Sequence, residues 1–357
     1  MTKIKLFAVL VCSLLITGVS KAQLDYLNPN DLDLFHGRTL IVIVEKPVDK
    51  VTEKLNKKHH SDKVDAYAKA MDDFNKRFAD AVTKYWKVNE GEVQYKTLDE
   101  INDISDKKNY AVLFCRSANQ SELGTNYTVT HGIWWWPDYK EVTHDKDIND
   151  KMTVFCMCLL DRFYKTPMYQ FPLPDINPTQ ADLDYAVNVT NYLCNYRVDH
   201  RGESNPKRLG ISMIKENQGT LKDKTLLLRR DWLDKKLTPA EMAKDYPFPY
   251  MIAGADTIAR LVEADSAQYA VAVVAPNGDQ SGVNGAIMYD QYAYNLEDGA
   301  ILGCSGVEDI PSDPKAGTAT TNSATKPLIT KRTLLDFSMY NRDDEDSGGG
   351  AKKKGKR

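Results

Sequence analysis

The chain has 357 residues, 42% hydrophobic and 27% charged, with 47 lysines and arginines against 50 acids and a formal net charge of −3. That near balance excludes a body built to hold nucleic acid, which needs a strongly basic face. Beyond the N-terminal run Leu6 to Val19, no stretch approaches the roughly 20 uninterrupted apolar residues of a membrane helix, so a transmembrane protein is excluded too.

Residues 1–22 read as an export signal. Lys3 and Lys5 precede the apolar run, and Ser20-Lys21-Ala22 sets small residues where a signal peptidase cuts. Cys12 follows Val11 and not the small residue expected before a lipid-bearing cysteine, so lipidation is not expected. Cleavage removes Lys3, Lys5 and Lys21 and leaves 335 residues with a net charge near −6, from 44 bases and 50 acids. That length accommodates two domains of about 100 to 200 residues each. The expected address is the periplasm, the outer-membrane periphery or the medium.

Two stretches of the chain repeat. "GRTLIVIVE" (37–45) matches "DKTLLLRRD" (223–231), ending in Glu45 and Asp231. Residues 93–121 parallel 248–281, pairing Tyr95 with Tyr250, Tyr110 with Tyr269, and Gln120-Ser121 with Gln280-Ser281. Three matches in one order predict a duplicated unit. Each copy reads as strand, helix, strand, short helix, strand, strand, an α/β or α+β fold of two related tandem units, each a mixed sheet with packed helices. The boundaries follow: 23–204 and 205–341, with the break near "DHRGESNPKR" (199–208) and an unstructured charged tail at 342–357.

In the first copy a long helix is expected from about Ser61 to Lys87, where Val64, Tyr67, Met71, Phe74, Phe78 and Val82 recur at helical spacing. Thr97 to Glu100 and Thr238 to Glu241 are capping boxes, the second with Pro239 at the favoured first position. A further helix begins at Thr179-Gln180, with Leu183, Val187, Cys194 and Val198 as its inward stripe. Residues 305–327 are poor in large apolar side chains and read as a long surface loop.

"HGIWWW" continues the repeat onto "NGAIMY", which aligns Trp136 with Tyr289. The triplet therefore reads as a strand facing apolar neighbours on both sides, with Trp134 and Trp136 on one face and Trp135 on the other. Ligand stacking on Trp134 and Trp136, or a protein interface, is the alternative. In that case Asp138, Tyr139 and His131 complete a cleft.

Five cysteines follow the signal: Cys115, Cys156, Cys158, Cys194 and Cys304. They sit in apolar runs and read as core filler, with one long-range bridge left open. Arg116 would activate the Cys115 thiol only from the same side, and neighbours on a strand point to opposite sides. The six histidines lack zinc-protease spacing, and no Cys-x-x-Cys occurs. "DKDIND" (145–150) starts like a calcium loop, then puts Asp150 where glycine belongs and Cys156 where the bidentate glutamate belongs. No metal or cofactor is therefore expected. "NQS" (119–121), "NYT" (126–128) and "NVT" (188–190) have the glycan-acceptor pattern.

The tail joins an acid cluster, Asp343 to Asp346, to Lys352, Lys353, Lys354, Lys356 and Arg357 through three glycines. Such a tail suits an anionic lipid or glycan surface or an acidic partner. The expectation is a non-enzymatic envelope or secreted binding or scaffold protein, with an envelope protein or an anionic surface as partner. Its alternative is a hydrolase or glycan-binding protein acting on an envelope polysaccharide.

Overall fold

A computed structural model of the chain describes residues 27–89, 91–119, 122–123, 129, 132–143, 151–165, 167–264, 267–276, 289–305 and 327–339. The expected export signal at 1–22, the expected loops 277–285 and nearly all of 305–327, and the charged tail lie outside the described residues.

The first unit runs α1 (Pro29–His36), β1 (Thr39–Ile43), α2 (Asp49–Lys57), α3 (Ser61–Tyr85), β2 (Gln94–Lys96), α4 (Leu98–Asn102), β3 (Tyr110–Ala118), α5 (Tyr139–Thr143), β4 (Met152–Leu159), β5 (Tyr169–Pro172) and α6 (Gln180–Asp199). The second runs α7 (Pro206–Glu216), β6 (Thr225–Arg229), α8 (Pro239–Asp245), β7 (Tyr250–Ala253), α9 (Ala255–Glu263), β8 (Tyr269–Pro276), β9 (Tyr289–Asn295), β10 (Ile301–Ser305) and α10 (Lys331–Met339). Local chemistry starts the helices where it should. Thr97, Thr179 and Thr238 each accept from the backbone N–H three residues on, and Glu100, Asp182 and Glu241 reach back to the cap backbone. On α3 the expected residues Tyr67, Met71, Phe74, Phe78 and Val82 are buried, while Val64 is half-buried.

The two five-stranded sheets have the same order, β2-β1-β3-β4-β5 and β7-β6-β8-β9-β10. In each, the first three strands are parallel and the last two antiparallel. Register agrees as well, since Thr39 faces Tyr110 and Thr225 faces Tyr269. One expected match slips by two residues. Tyr95 faces Val42, whereas Tyr250 faces Leu226, the counterpart of Leu40; the residue in Tyr95's place is Ile252, opposite Leu228. A slip of two keeps the side chain on its face, so periodicity alone does not reveal it.

The two units stack front to back. In the first sheet Leu40, Val42, Ala111, Leu113 and Phe155 face the central core, with Phe74 and Phe78 of α3 and Leu183 and Val187 of α6. Ile41, Val112, Phe114 and Cys156 face outward, under Leu98 and Ile101 of α4. In the second sheet the assignment is reversed. Leu227, Val271, Val273 and Tyr294 reach the central core beside Ile258 and Val262 of α9. Leu226, Leu228, Ala270 and Ala272 face away, against Met242 of α8 and Leu334 and Phe337 of α10. Helix α6 thus lies between two sheets and is buried nearly all round, including Leu183, Tyr185, Ala186, Val187, Val189 and Leu193. The single inward stripe expected for it is too narrow, because two apolar surfaces meet it. Gly299, at φ +76°, lets the β9–β10 turn approach closely; a Cβ there would lie 2.4 Å from the Asn188 carbonyl oxygen.

The tryptophan triplet is buried but is not a strand. Trp134 and Trp136 are 5% and 7% exposed and Trp135 is half-buried. Their backbone follows turns, with Trp136 N–H donating to Ile133 O at 3.2 Å and Tyr139 N–H to Trp136 O at 2.9 Å. Gly132 at φ +103° and Pro137, which lacks a donor, both oppose a ladder. The strand buried on both faces is "MTVFCMCL", β4, whose Thr153 stands where Tyr289 stands in the second unit. The alignment misses this because residues 119–151 separate β3 from β4, whereas only 277–288 separate β8 from β9.

The five cysteines among the described residues are buried, and no disulfide joins them. Among the described residues, no helix is long and apolar enough to cross a membrane.

Candidate functional site

In an open sheet with parallel strands, ligand crevices form beyond the strands' carboxyl ends, where successive connections leave in opposite directions. Both sheets have one such place, because β1 lies between β2 and β3, and β6 between β7 and β8. Residues just past β1 and β6 are therefore the first candidates.

Past β1 stands Glu45. Its backbone is tied to α3: Glu45 N–H donates to Asn75 Oδ1 and Asn75 Nδ2 donates to Glu45 O, both at 2.8 Å. Its carboxylate accepts from the Gly132 backbone N–H at 2.7 Å. The residue as a whole is half-buried, but its carboxyl is closely surrounded. That desolvation pushes its pKa up to about 7, against the lowering effect of the Gly132 amide. The Tyr67 hydroxyl, Tyr139 and the Cys115 thiol lie nearby, and burial drives the Tyr67 and Cys115 values well up.

The segment 132–143 fills this crevice. Gly132 is wedged so tightly that a Cβ would come within 2.6 Å of Val48 Cγ2 and 2.7 Å of the Tyr67 hydroxyl. Trp136 packs on Tyr67 with ring centroids 4.9 Å apart, and Trp135 meets Phe74 edge-on at 5.0 Å. Asp138 pairs with Lys63 at 3.1 Å, and Lys54 Nζ donates to Val142 O at 2.7 Å. The buried indole N–H of Trp134 has no acceptor among the described residues. Of the residues singled out by sequence, Trp134, Trp136, Asp138 and Tyr139 thus do come together. They form the filling of a crevice and not the wall of an open cleft. His131 and the basic residues Lys352, Lys353, Lys354, Lys356 and Arg357 lie outside the described residues.

Past β6 the arrangement differs. Arg229 pairs with Asp175 and with Asp231, the latter at 2.8 Å, and its guanidinium sits 4.4 Å from the Trp232 ring centroid. Asp182, buried at the start of α6, has its pKa pushed up to about 7 by burial and then by Asp175, against the capping bonds from Thr179. Arg229 follows three leucines in "TLLLR", so Asp231 is the acid that sequence could mark, while Asp175 and Asp182 come from the end of the first unit and only folding brings them near.

Elsewhere the chemistry is internal. Arg116 donates to Gln170 Oε1 at 3.2 Å and to Glu122 O at 3.1 Å. Its charge acts on Cys156 and not on its neighbour Cys115, as strand alternation requires. Burial outweighs it and pushes the Cys156 thiol up to about 11, so neither thiol is an activated nucleophile. Asn188 of "NVT" is 3% exposed inside α6, donating to Leu296 O at 3.0 Å, and offers no glycan acceptor in the folded chain. Among the described residues, no three His, Cys, Asp or Glu side chains gather to hold a metal. Asp145, Asp147 and Asn149 lie outside them. Comparison with family models, curated proteins and solved structures finds no match to this chain.

Proposed function

We propose that the protein is a non-catalytic binding or scaffold protein of the envelope or medium, built from two tandem α/β units, with its basic tail as an attachment for anionic surfaces. One observation carries this reading. At the crevice where an α/β sheet would take a ligand, the first unit inserts its own Gly132–Thr143 segment, and in the second Arg229 is engaged by its own Asp231 and by Asp175 of the first unit. Of the two rings that would stack on a sugar, Trp136 is packed on Tyr67 and Trp134 edge-on against Trp135, and both are buried, which counts against the glycan-binding alternative. Export is supported by the residues of the leader, and attachment by the five charges Lys352, Lys353, Lys354, Lys356 and Arg357, each contributing about 1 kcal/mol near an anionic membrane.

The test compares the mature chain with a variant lacking residues 343–357, on vesicles containing anionic lipid and on native envelope material at low salt. The expected result is unchanged thermal unfolding with retention lost in the variant, and weaker retention of the intact chain as salt rises. Equal retention of the two proteins would remove the tail's role. Release of products from envelope polysaccharide would replace the scaffold by a hydrolase.

A further inference from the structure

Helices α2 and α3 meet at a corner of three residues, Lys58, His59 and His60. The backbone closes this corner itself. His59 N–H donates to Asn56 O at 3.0 Å and His60 N–H to Leu55 O at 3.1 Å, the paired bonds that end a helix on a left-handed residue. That residue is His59, at φ +58°, where glycine is the usual occupant. Val51 and Leu55 anchor the helix from below, while residues 56–62 are all exposed. The stretch 54–61, "KLNKKHHS", holds three lysines, two histidines and no acid, in a chain whose net charge is −3. We propose that this corner docks on an anionic phospholipid surface, with Lys50, Lys57 and Lys58 supplying charge and His59 and His60 supplying ring N–H donors.

Cations near a helix C-terminus also offset its dipole, which accounts for Lys54 and Lys57 in the last turn of α2. It does not account for Lys50, which sits in the first turn, where the dipole disfavours a cation, and on the same face as Lys54 and Lys57. Lys54 is occupied by the Val142 carbonyl, and the Lys57–Glu53 pair spans 3.9 Å between side chains 78% and 69% exposed, too loose to neutralise the patch. The adjacent lysines Lys235 and Lys236 of the second unit differ, because Asp231 and Asp234 precede them. The make-up of the corner selects the partner. Protein interfaces are depleted in lysine and centred on large apolar or aromatic anchors, and none of the large apolar side chains exposed among the described residues falls within 49–63. A sugar would likewise want a ring to stack on. A lipid surface needs neither, since each cation near an anionic bilayer strengthens adsorption about fivefold. This inference rests on the proposed attachment to anionic surfaces but not on the tail, and it adds a contact within the folded body.

The experiment measures binding of the mature chain to vesicles of phosphatidylcholine and phosphatidylglycerol in equal parts, at low salt, with phosphatidylcholine vesicles as the neutral reference. Lys57→Gln with Lys58→Gln should weaken binding to the anionic vesicles by about 20-fold, and adding Lys50→Gln should weaken it about fivefold more. Lys57→Arg with Lys58→Arg keeps the charge and should bind as the unmodified chain does. Lys235→Gln with Lys236→Gln removes the same charge elsewhere and should also leave binding unchanged. All of these positions are exposed, so thermal unfolding should not move. The same pairs are then compared in the variant lacking residues 343–357. Loss of binding on that deletion reports on the tail, whereas the drop caused by the Lys57 and Lys58 substitutions within either background reports on the corner. The proposal is overturned if those substitutions leave binding unchanged, if the Lys235 and Lys236 pair loses as much, or if neutral vesicles retain the protein equally well. Binding to dextran sulfate without binding to vesicles would overturn it in favour of an anionic glycan.

Discussion

Glu45 and Asp231 stand two residues beyond equivalent strands, yet one carboxyl is enclosed beneath a plug and the other is largely in solvent beside Arg229. The strand that leads to each explains part of the difference. β1 ends in the apolar Ile43, while β6 ends in the cation Arg229. The chain between the third and fourth strands explains the rest, since among the described residues the Gly132–Thr143 segment lies over the first crevice. Acids at equivalent places in the two sheets thus meet different surroundings, and burial under the cover raises the pKa of Glu45.

Helices α6 and α10 extend the comparison. Each follows the last strand of its sheet and packs on the same face of it. Because the units stack front to back, α6 meets a second sheet and is buried nearly all round, while α10 keeps Lys331 and Arg332 exposed. The same architectural position is interior in one unit and terminal in the other, as in repeat proteins whose last element must be polar outside.

Four measurements test this contrast. The largest effect is expected from Gly299→Ala, whose Cβ meets the α6 backbone at 2.4 Å and whose φ is +76°. It should cost about 3 kcal/mol or more in denaturant unfolding, and a neutral result would show that the turn does not dock on α6. Leu183→Ala in α6 should cost about 3 kcal/mol and shift one common transition, whereas Leu334→Ala in α10 should loosen the second unit first. Identical melting profiles for the two would argue against a core shared through α6.

The acids come next. Glu45 has its folded pKa raised, so the wild-type chain gains stability from this group as pH falls from 7 to 4.5 and lacks that gain above 7. At pH 8 Glu45→Gln should therefore be more stable by about 2 kcal/mol, allowing for partial solvent contact, with little difference at pH 4.5. Asp231→Asn, at an exposed ion pair, should change stability by less than about 1 kcal/mol, and high salt should remove even that. A large Asp231 effect or a flat Glu45 response would reverse the contrast. As a qualitative check, a thiol reagent should leave Cys115, Cys156, Cys158, Cys194 and Cys304 untouched until denaturant is added.

Local features were legible in the sequence. The capping threonines fix helix starts through bonds spanning three residues, and the apolar rhythm of α3 needs only its own periodicity. The recurrence of Thr39 and Tyr110 as Thr225 and Tyr269 carried the topology of both units, because register is a matter of pairing within each copy. The triplet's burial was legible, but its backbone was not, since burial depends on composition whereas a turn depends on Gly132 and Pro137 meeting a long insertion. Asn75, which pins Glu45, sits in the helical pattern like any polar interruption, and only its partner's position reveals its role.

A duplicated α/β unit, its helix starts and the interior character of its aromatic residues could be read along the chain, because those follow from short-range bonding and hydrophobicity. Tertiary structure alone decided which face of each sheet meets the shared core, that α6 is enclosed between them, and that Glu45 is covered where Asp231 is not. Those outcomes rest on desolvation and packing between segments far apart in the chain, and neither quantity is a property of a residue's neighbours in sequence.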